Sequence, residues 1–385
     1  MAKNLICLLV GLALVLTPFL VLAEQPDMGG PSRGTPEPPP MGAPEPQMPE
    51  YIYQTGTPDL ERVKSFYESQ EEVLGQRVVE LLDYVDSPRG PTIVGAGYGA
   101  DGYYSVLLDS WNDNWDVIDR TVERLQELGG KDFPIAFWVG TISCDVKTLD
   151  AEEVETELVR GSTDVTGGDL IYGYHQPTEC GYLQMTAGFR AKRIGFWYYE
   201  RFVTAGHFAD CTGPGDPEII PIPINTKFYD DEDTYLGYVE LVGGDEADAS
   251  RVHSGWRWSI LPGVRHDGTR IPINSWLVGD PTMYTRVWKT GSVTETTSGY
   301  MLLITDVDNP AHGWMEDQVI TNYERAPGDS GGPVYKAYGS GSSRYASLYG
   351  IHWGTVNYEG TDYGVFSLIE AVLDELGDIE PMLGL

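Results

Sequence analysis

Two short stretches of this chain carry residue types that could do covalent chemistry. Phe202-Val203-Thr204-Ala205-Gly206-His207 is a β-type run that ends in small residues and a histidine, and Pro327-Gly328-Asp329-Ser330-Gly331-Gly332-Pro333 sets a serine among glycines. Glycine lets the backbone turn sharply and lets a second chain come close, which suits an exposed nucleophile. It also frees neighbouring N–H groups to point at a developing oxyanion. A serine hydroxyl is a poor nucleophile near neutral pH and needs a base, for which histidine is the natural side chain. The base in turn needs a carboxylate to fix its tautomer and stabilise the imidazolium. Either stretch alone could be an ordinary turn. Together, histidine first and serine far downstream, they point to acyl transfer through Ser330 and His207.

At this point the sequence resembles the chymotrypsin-like serine peptidases, and among them the bacterial streptogrisin-like enzymes. FVTAGH is similar to their histidine motif and PGDSGGPVY to their serine motif. Residues 287–301 (VWKTGSVTETTSGYM) are similar to a glycine-punctuated strand pair, QVITNYERAPGDSGGPVY to the approach to the serine, and GGDLIYG at 167–173 to the opening of such domains. The similarity runs patchily over 163–380; the two catalytic motifs are specific and the rest supports them. It implies an all-β catalytic domain of two six-stranded antiparallel β-barrels with a C-terminal helix, preceded by a small α/β domain. That strand–helix–strand unit itself looks like an N-terminal extension of some bacterial relatives.

Carried over residue by residue, the resemblance makes Ser330 the nucleophile, His207 the base, and the backbone N–H groups of Gly328 and Ser330 the oxyanion hole. The third member should be an aspartate at a strand start followed by small and apolar residues. Asp248-Ala249-Ser250-Arg251-Val252 fits best, with Asp245 a nearby rival and Asp230, Asp231 and Asp233 in an acidic loop. Relatives carry a cysteine directly after the histidine. Here Phe208 stands there and Cys211 follows, so a Cys180–Cys211 disulfide is what the family pattern still implies. Glu324 occupies the place of a streptogrisin cysteine, so their second bridge is missing.

Tyr349-Gly350-Ile351-His352-Trp353-Gly354 should line the specificity pocket and pair with substrate backbone. GIHWG followed by Thr355 and Asn357 resembles the corresponding strand of glutamyl endopeptidases, where the histidine receives an acidic side chain. The competing reading of His352 is a packed histidine beside the triad. Glu324 and Arg325 could both reach the pocket base: Glu324 would favour Lys or Arg before the scissile bond, Arg325 an acid. The remaining histidines, His175, His253, His266 and His312, lack metal-ligand spacing and read as surface or loop residues.

The elements that must position these groups follow an export-type leader. Lys3, an apolar run Leu5–Leu22 and Val21-Leu22-Ala23 read as a signal peptide over 1–23, and no stop-transfer cluster follows that would favour an anchor. No later segment is apolar enough to span a membrane, so the mature chain is expected outside the cell. Residues 24–50 are a Pro-rich disordered linker. Residues 51–145 hold a helix opened by Thr57-Pro58-Asp59, with Val63, Tyr67, Leu74, Val78, Leu81 and Val85 on one face, then an α/β unit. Within that unit Asp101-Gly102 marks a hairpin, Trp115–Leu128 a helix closed by Gly129-Gly130, and FPIAFWVGTI a buried strand. The glycines from Gly95 to Gly99 do not have dinucleotide-binding spacing, and a hairpin rather than a helix follows them. An acidic joint at 146–162 leads to the catalytic domain at 163–385, which ends in a helix around Leu368–Leu376.

With 58 acidic against 25 basic residues the formal charge is −33, which repels nucleic acid and anionic membranes. The expected partners are polypeptide substrates. No cofactor is called for, and no cysteine spacing supports a metal cluster. The nucleophile-elbow pattern of esterases is missing. A catalytically inactive protease-like binding module is the alternative from another class. A zymogen, shielded by the first domain and cut near Leu158-Val159-Arg160-Gly161, is compatible with the enzyme.

Overall fold

The computed structural model describes residues 48–74, 93–110, 115–149, 165–174, 182–195, 200–210, 218–232, 234–254, 260–358 and 360–384. The leader, most of the linker, the helix beyond Leu74, the Leu158–Gly161 joint, His175, Asp233 and both Cys180 and Cys211 lie outside the described residues. So does the question of their disulfide.

The N-terminal elements are β1 (Tyr53–Thr55), α1 (Leu60–Leu74), β2 (Ile93–Gly99), β3 (Tyr104–Leu108), α2 (Trp115–Gly129) and β4 (Ile135–Val139). β2 and β3 form the antiparallel hairpin, and β3 runs parallel to β4 across α2. Val117, Ile118, Thr121 and Leu125 give α2 its buried stripe, the spacing of a one-faced helix. FPIAFWVGTI does not stay one strand. The Gly140 N–H donates to Leu108 O at 2.9 Å, which closes the ladder with β3. The chain then departs as β5 (Thr141–Cys144) and β6 (Lys147–Leu149), which pair elsewhere.

The central strands are β7 (Val165–Gly167), β8 (Leu170–Tyr174), β9 (Tyr182–Thr186), β10 (Phe189–Arg193), β11 (Glu200–Thr204), β12 (His207–Asp210), β13 (Glu218–Pro221), β14 (Lys227–Tyr229), β15 (Tyr235–Val242), β16 (Ser250–Ser254), β17 (Ile260–His266), β18 (Thr269–Ile271) and β19 (Ile273–Trp276). Eight of the molecule's strands run in the order β10-β11-β16-β15-β14-β8-β9-β6. Phe202, Phe228, Leu183 and Val252 of this sheet share one buried cluster with Phe208 of β12.

A second set comprises β20 (Arg286–Gly291), β21 (Glu295–Asn309), β22 (Gly313–Thr321), β23 (Pro333–Tyr338), β24 (Tyr345–Tyr358) and β25 (Thr361–Leu368), followed by α3 (Ile369–Leu376) and β26 (Ile379–Pro381). The pairing β21-β20-β23-β24-β25-β22 returns from β22 to β21, so these six strands close a ring. β26 adds to the outer edge of β10. The molecule is thus mostly β, barrel-like, with a terminal helix.

The N-terminal unit is built into this ring. β2 pairs antiparallel with β21, Gly97 opposite Thr305. A Cβ on Gly97 would lie 2.0 Å from Ile304 O, so only glycine permits the approach. Val63, Tyr67, Ile118 and Phe137 share one buried cluster with Val287, Met301, Ile304 and Phe366 of the ring. Each large apolar side chain buried there is worth about 1.5–3 kcal/mol. The Tyr67 hydroxyl meets two ring carboxylates, Asp306 Oδ1 at 2.6 Å and Asp317 Oδ1 at 2.8 Å.

Candidate active site

The serine loop spans the gap between β22 and β23. Gly328 has φ +99° and Gly331 φ +91°, conformations that side-chain-bearing residues rarely adopt, and Ser330 sits between them, 1% exposed. The loop is clamped from two sides. Thr186 N–H donates to Ser330 O at 2.8 Å, Gly331 N–H to His352 O at 2.8 Å, and His352 N–H to Gly332 O at 2.9 Å.

Beneath the loop Asp329 is fully buried and pairs with the buried Lys289 of β20. Its Oδ2 also accepts from Thr294 Oγ1 at 2.6 Å and Ala326 N–H at 3.0 Å, and its Oδ1 from Val293 N–H at 2.9 Å. Burial pushes the Asp329 carboxyl up, but Lys289 and Thr294 outweigh it and hold the group below the usual range.

His207 opens β12 just after the β11 run. Its Nδ1 lies 2.8 Å from Asp248 Oδ2, both side chains being buried. Asp248 precedes β16 and receives two more donors, Gly206 N–H at 2.6 Å and Asn309 Nδ2 at 3.0 Å, while His312 Nε2 stands 3.8 Å away, a charge neighbour rather than a donor. Burial raises its pKa; His207 and His312 more than offset that and leave it well below the ordinary carboxylate range. The Asp248 N–H donates to Ser367 Oγ, whose hydroxyl donates to Gln318 Oε1, which also receives Trp353 Nε1. Asp245 and Asp230 stand elsewhere: the Asp245 carbonyl accepts Glu316 N–H and the Asp230 carboxylate caps its own loop at Glu232 and Thr234.

The cleft beside Ser330 is filled by the chain itself. β5 lies antiparallel on β24, Cys144 opposite Gly354 and Ser143 opposite Thr355. The next residue, Asp145, is 2% exposed. Its N–H donates to Trp353 O at 3.1 Å, and its carbonyl oxygen accepts the Gly328 N–H at 3.0 Å. Ser330 Oγ lies 2.9 Å from that same oxygen and 3.0 Å from Trp353 O, with one proton to give to either. On the far side Cys144 Sγ comes within 4.8 Å of ligand atoms of His207 and Asp248. One two-residue segment therefore touches Ser330, the Gly328 amide and the histidine–aspartate pair.

The Asp145 side chain enters a small polar pocket. His352 Nε2 is 2.9 Å from Oδ2, Thr355 Oγ1 donates to Oδ1 at 2.7 Å, and Arg325 Nη1 is 3.3 Å from Oδ1. Arg325 is steadied by Asp362, 2.8 Å away. Burial, helped by Lys289, lowers the His352 pKa, against the pull of Asp145, so the ring favours its neutral form. Tyr323 OH lies 3.0 Å from Nδ1, and burial pushes that phenol well up. Val365 O lies equally close to Nδ1, at 3.0 Å; when the phenol donates to Nδ1, the ring proton sits on Nε2, facing the carboxylate. Glu324 is exposed, its backbone carbonyl accepting Thr297 Oγ1, and its charge acts on Lys289.

Cys144, His207 and Asp248 offer three ligand atoms that could surround a metal ion. The donor set fits one poorly. Asp248 Oδ2 is already taken by His207 and Asn309. Burial, with Asp248 and Asp145 nearby, pushes the Cys144 thiol well up, away from the thiolate a metal needs.

Sequence reasoning named Thr355, from its place after the GIHWG run, but missed Asp145, Asn309 and His312, single residues in loops or at strand ends.

No family model matches this sequence, and no curated protein matches it. Its structural neighbours are chymotrypsin-like bacterial serine proteases. A glutamic acid-specific serine protease that uses a histidine triad in substrate binding is 25% identical with a TM-score of 0.42, over 57% of this chain and 100% of that one. Protease A of Thermobifida fusca is 19% identical with a TM-score of 0.41, over 57% and 100%. Nocardiopsis protease is 18% identical with a TM-score of 0.41, over 57% and 98%.

Proposed function

We propose that this chain is an exported serine endopeptidase that cleaves after acidic residues. Ser330 is the nucleophile, His207 the general base, Asp248 its orienting acid, and the N–H groups of Gly328 and Ser330 the oxyanion donors. Export rests on the 1–23 leader, and in an oxidising compartment Cys180 and Cys211 would pair. The single observation that carries the specificity is the buried Asp145 carboxylate, held by His352, Thr355 and Arg325 while its carbonyl group lies against Ser330 Oγ. A carboxylate entering so dry a pocket without donors would cost several kcal/mol, and a lysine there would meet Arg325. Trp353 and Gly354 supply the backbone ladder that aligns the acyl side of a substrate.

A cleavage profile on a mixed peptide library tests this directly. Glu and Asp should dominate the position before the cut; dominance of Lys and Arg would overturn the assignment. Arg325→Ala removes one charged contact, worth about 1.5–3 kcal/mol. It should therefore lower kcat/KM on acidic peptides roughly 10- to 100-fold, with much less effect on apolar ones.

Tyr323→Phe tests the tautomer argument. It leaves every pocket donor in place but frees His352 to carry its proton on Nδ1, where Val365 O lies 3.0 Å away. A loss of about one hydrogen bond, near tenfold in kcat/KM, is expected on acidic peptides with fluorophosphonate labelling of Ser330 unchanged.

A further inference from the structure

The far side of Asp248 carries a second imidazole that the triad does not use. β21 ends at Asn309, and Pro310, Ala311 and His312 turn the chain into β22 at Gly313. Asn309 is buried and works at both ends. Its Oδ1 accepts Ala311 N–H at 2.7 Å and His312 N–H at 3.2 Å, which leaves Nδ2 to donate to Asp248 Oδ2 at 3.0 Å. One side chain thus shapes the turn and sets where His312 stands against the aspartate.

The His312 side chain is almost enclosed, 4% exposed. Its Nε2 is buried without a hydrogen-bond partner among the described residues and lies 3.8 Å from Asp248 Oδ1. A lone pair turned on a carboxylate oxygen would be repelled, so this nitrogen carries a proton. The ring also faces the loop ahead of Asp248, where a Cβ on Gly244 would lie 2.7 Å from Nδ1. That loop is tied to α3 by Glu375, whose carboxylate accepts the Gly244, Glu246 and Ala247 N–H groups. The titratable groups around the ring are therefore Asp248 ahead of β16, His207 of β12 beyond it, Glu375 of α3 and, beside Asn309 Oδ1, the Cys144 thiol of β5. Two are carboxylates, and burial keeps the thiol neutral. Burial also pulls the His312 pKa down, but Asp248, Glu375 and the Gly206 backbone outweigh it and raise it.

We propose that His312 is a positioning residue of the reaction: its cationic ring, set on Asp248 opposite His207, keeps the base unprotonated in mildly acid medium. This rests on reading Asp248 as the acid that orients His207. The argument is one of charge. An unopposed Asp248 carboxylate draws a proton onto His207 and silences the base as pH falls. The chain as a whole, at −33, draws it further. A cation beside the other oxygen of the same carboxylate opposes both, and it is little screened because all three side chains are buried. Orientation is kept, since His207 Nδ1 holds Oδ2 while His312 faces Oδ1. When His312 loses its proton at higher pH, Asp248 regains its full charge where the base is already free.

The test is the rate at which a fluorophosphonate labels Ser330 in the full chain, followed from acid to alkaline pH. The probe is uncharged and needs the base but not the acid-binding pocket. Each variant is read against its own alkaline plateau, so a general loss of folded protein does not move the acid limb. His312→Gln should move that limb up by about one pH unit. His312→Lys, which keeps a cation, should leave it near the wild-type position. Selective ¹⁵N-histidine labelling of the Ser330→Ala chain gives a readout without activity: near pH 6.5, the midpoint of a free histidine, the His312 ring should be mostly doubly protonated. A limb that stays put in His312→Gln, or a neutral His312 ring at that pH, would overturn the inference and leave the protease reading standing. Equal movement in the Gln and Lys variants would overturn it too, since packing rather than charge would then be the cause. A wild-type chain that takes up no probe at any pH would overturn the protease reading itself, and this inference with it.

Discussion

Ser330→Ala should abolish fluorophosphonate uptake, and His207→Ala should lower kcat on a Glu peptide by about 10⁶. Losses of that order are usual when one member of a serine triad is removed, because nucleophile and base act as a unit. Asp248→Asn should cost less, on the order of 10⁴, since the amide keeps the geometry but stabilises the wrong tautomer. Here the aspartate has two imidazole neighbours, His207 at 2.8 Å and His312 at 3.8 Å. The amide loses both charge interactions at once, and its single oxygen can accept from only one of the two donors, Gly206 N–H and Asn309 Nδ2, that the carboxylate serves. Stopped-flow turnover and active-site titration of each variant give the values. A His207→Ala chain retaining more than a hundredth of the activity would remove it as the base.

Lys289→Met should be the most damaging single change away from the catalytic groups. Asp329 is buried immediately before Ser330, and Lys289 is the partner in its ion pair. Removing one side of a buried ion pair typically costs about 3–5 kcal/mol, because the other charge stays behind unpaired. In a chain of this size that lowers Tm by roughly 5 °C. Activity should fall further than stability alone requires, since Asp329 ties Ala326, Val293 and Thr294 to the turn that aims the Gly328 N–H. Lys289→Met with Asp329→Asn should recover part of the loss, and the coupling from the double-mutant cycle measures the pair. A single variant within about 1 kcal/mol of wild type would show that the backbone donors and Thr294 carry the aspartate unaided.

What the sequence made legible were groups whose chemistry is written into a few contiguous residues. The glycines around Ser330 announce a turn with positive φ, and the small residues before His207 announce a strand ending against a crowded partner. Asp248 was readable from the Ala-Ser-Arg-Val that follows it, because β16 must begin there. The pocket was only half readable. His352 and Thr355 sit on one strand and share its pattern, but Asp145 is one acid among many in a strongly acidic chain, and nothing local marks it.

The reason it was missed is the break at Gly140. FPIAFWVGTI has the texture of a single buried strand, and hydrophobic texture cannot say that its first half will lie beside β3 and its second half beside β24. The same limit hid the union of the N-terminal unit with the ring. The run from Ile93 to Gly99 is apolar on both faces, which says it is covered but not by what. Gly97 was visible as one of several glycines; its contact with Ile304 depends on a residue some two hundred positions away.

The shared edge between β2 and β21 bears on how the molecule would unfold. The Ile93–Gly99 ladder and the apolar cluster around Tyr67 and Ile304 run across it. Neither the N-terminal unit nor the ring can open without baring apolar surface of the other, so the two should be lost together in one cooperative transition.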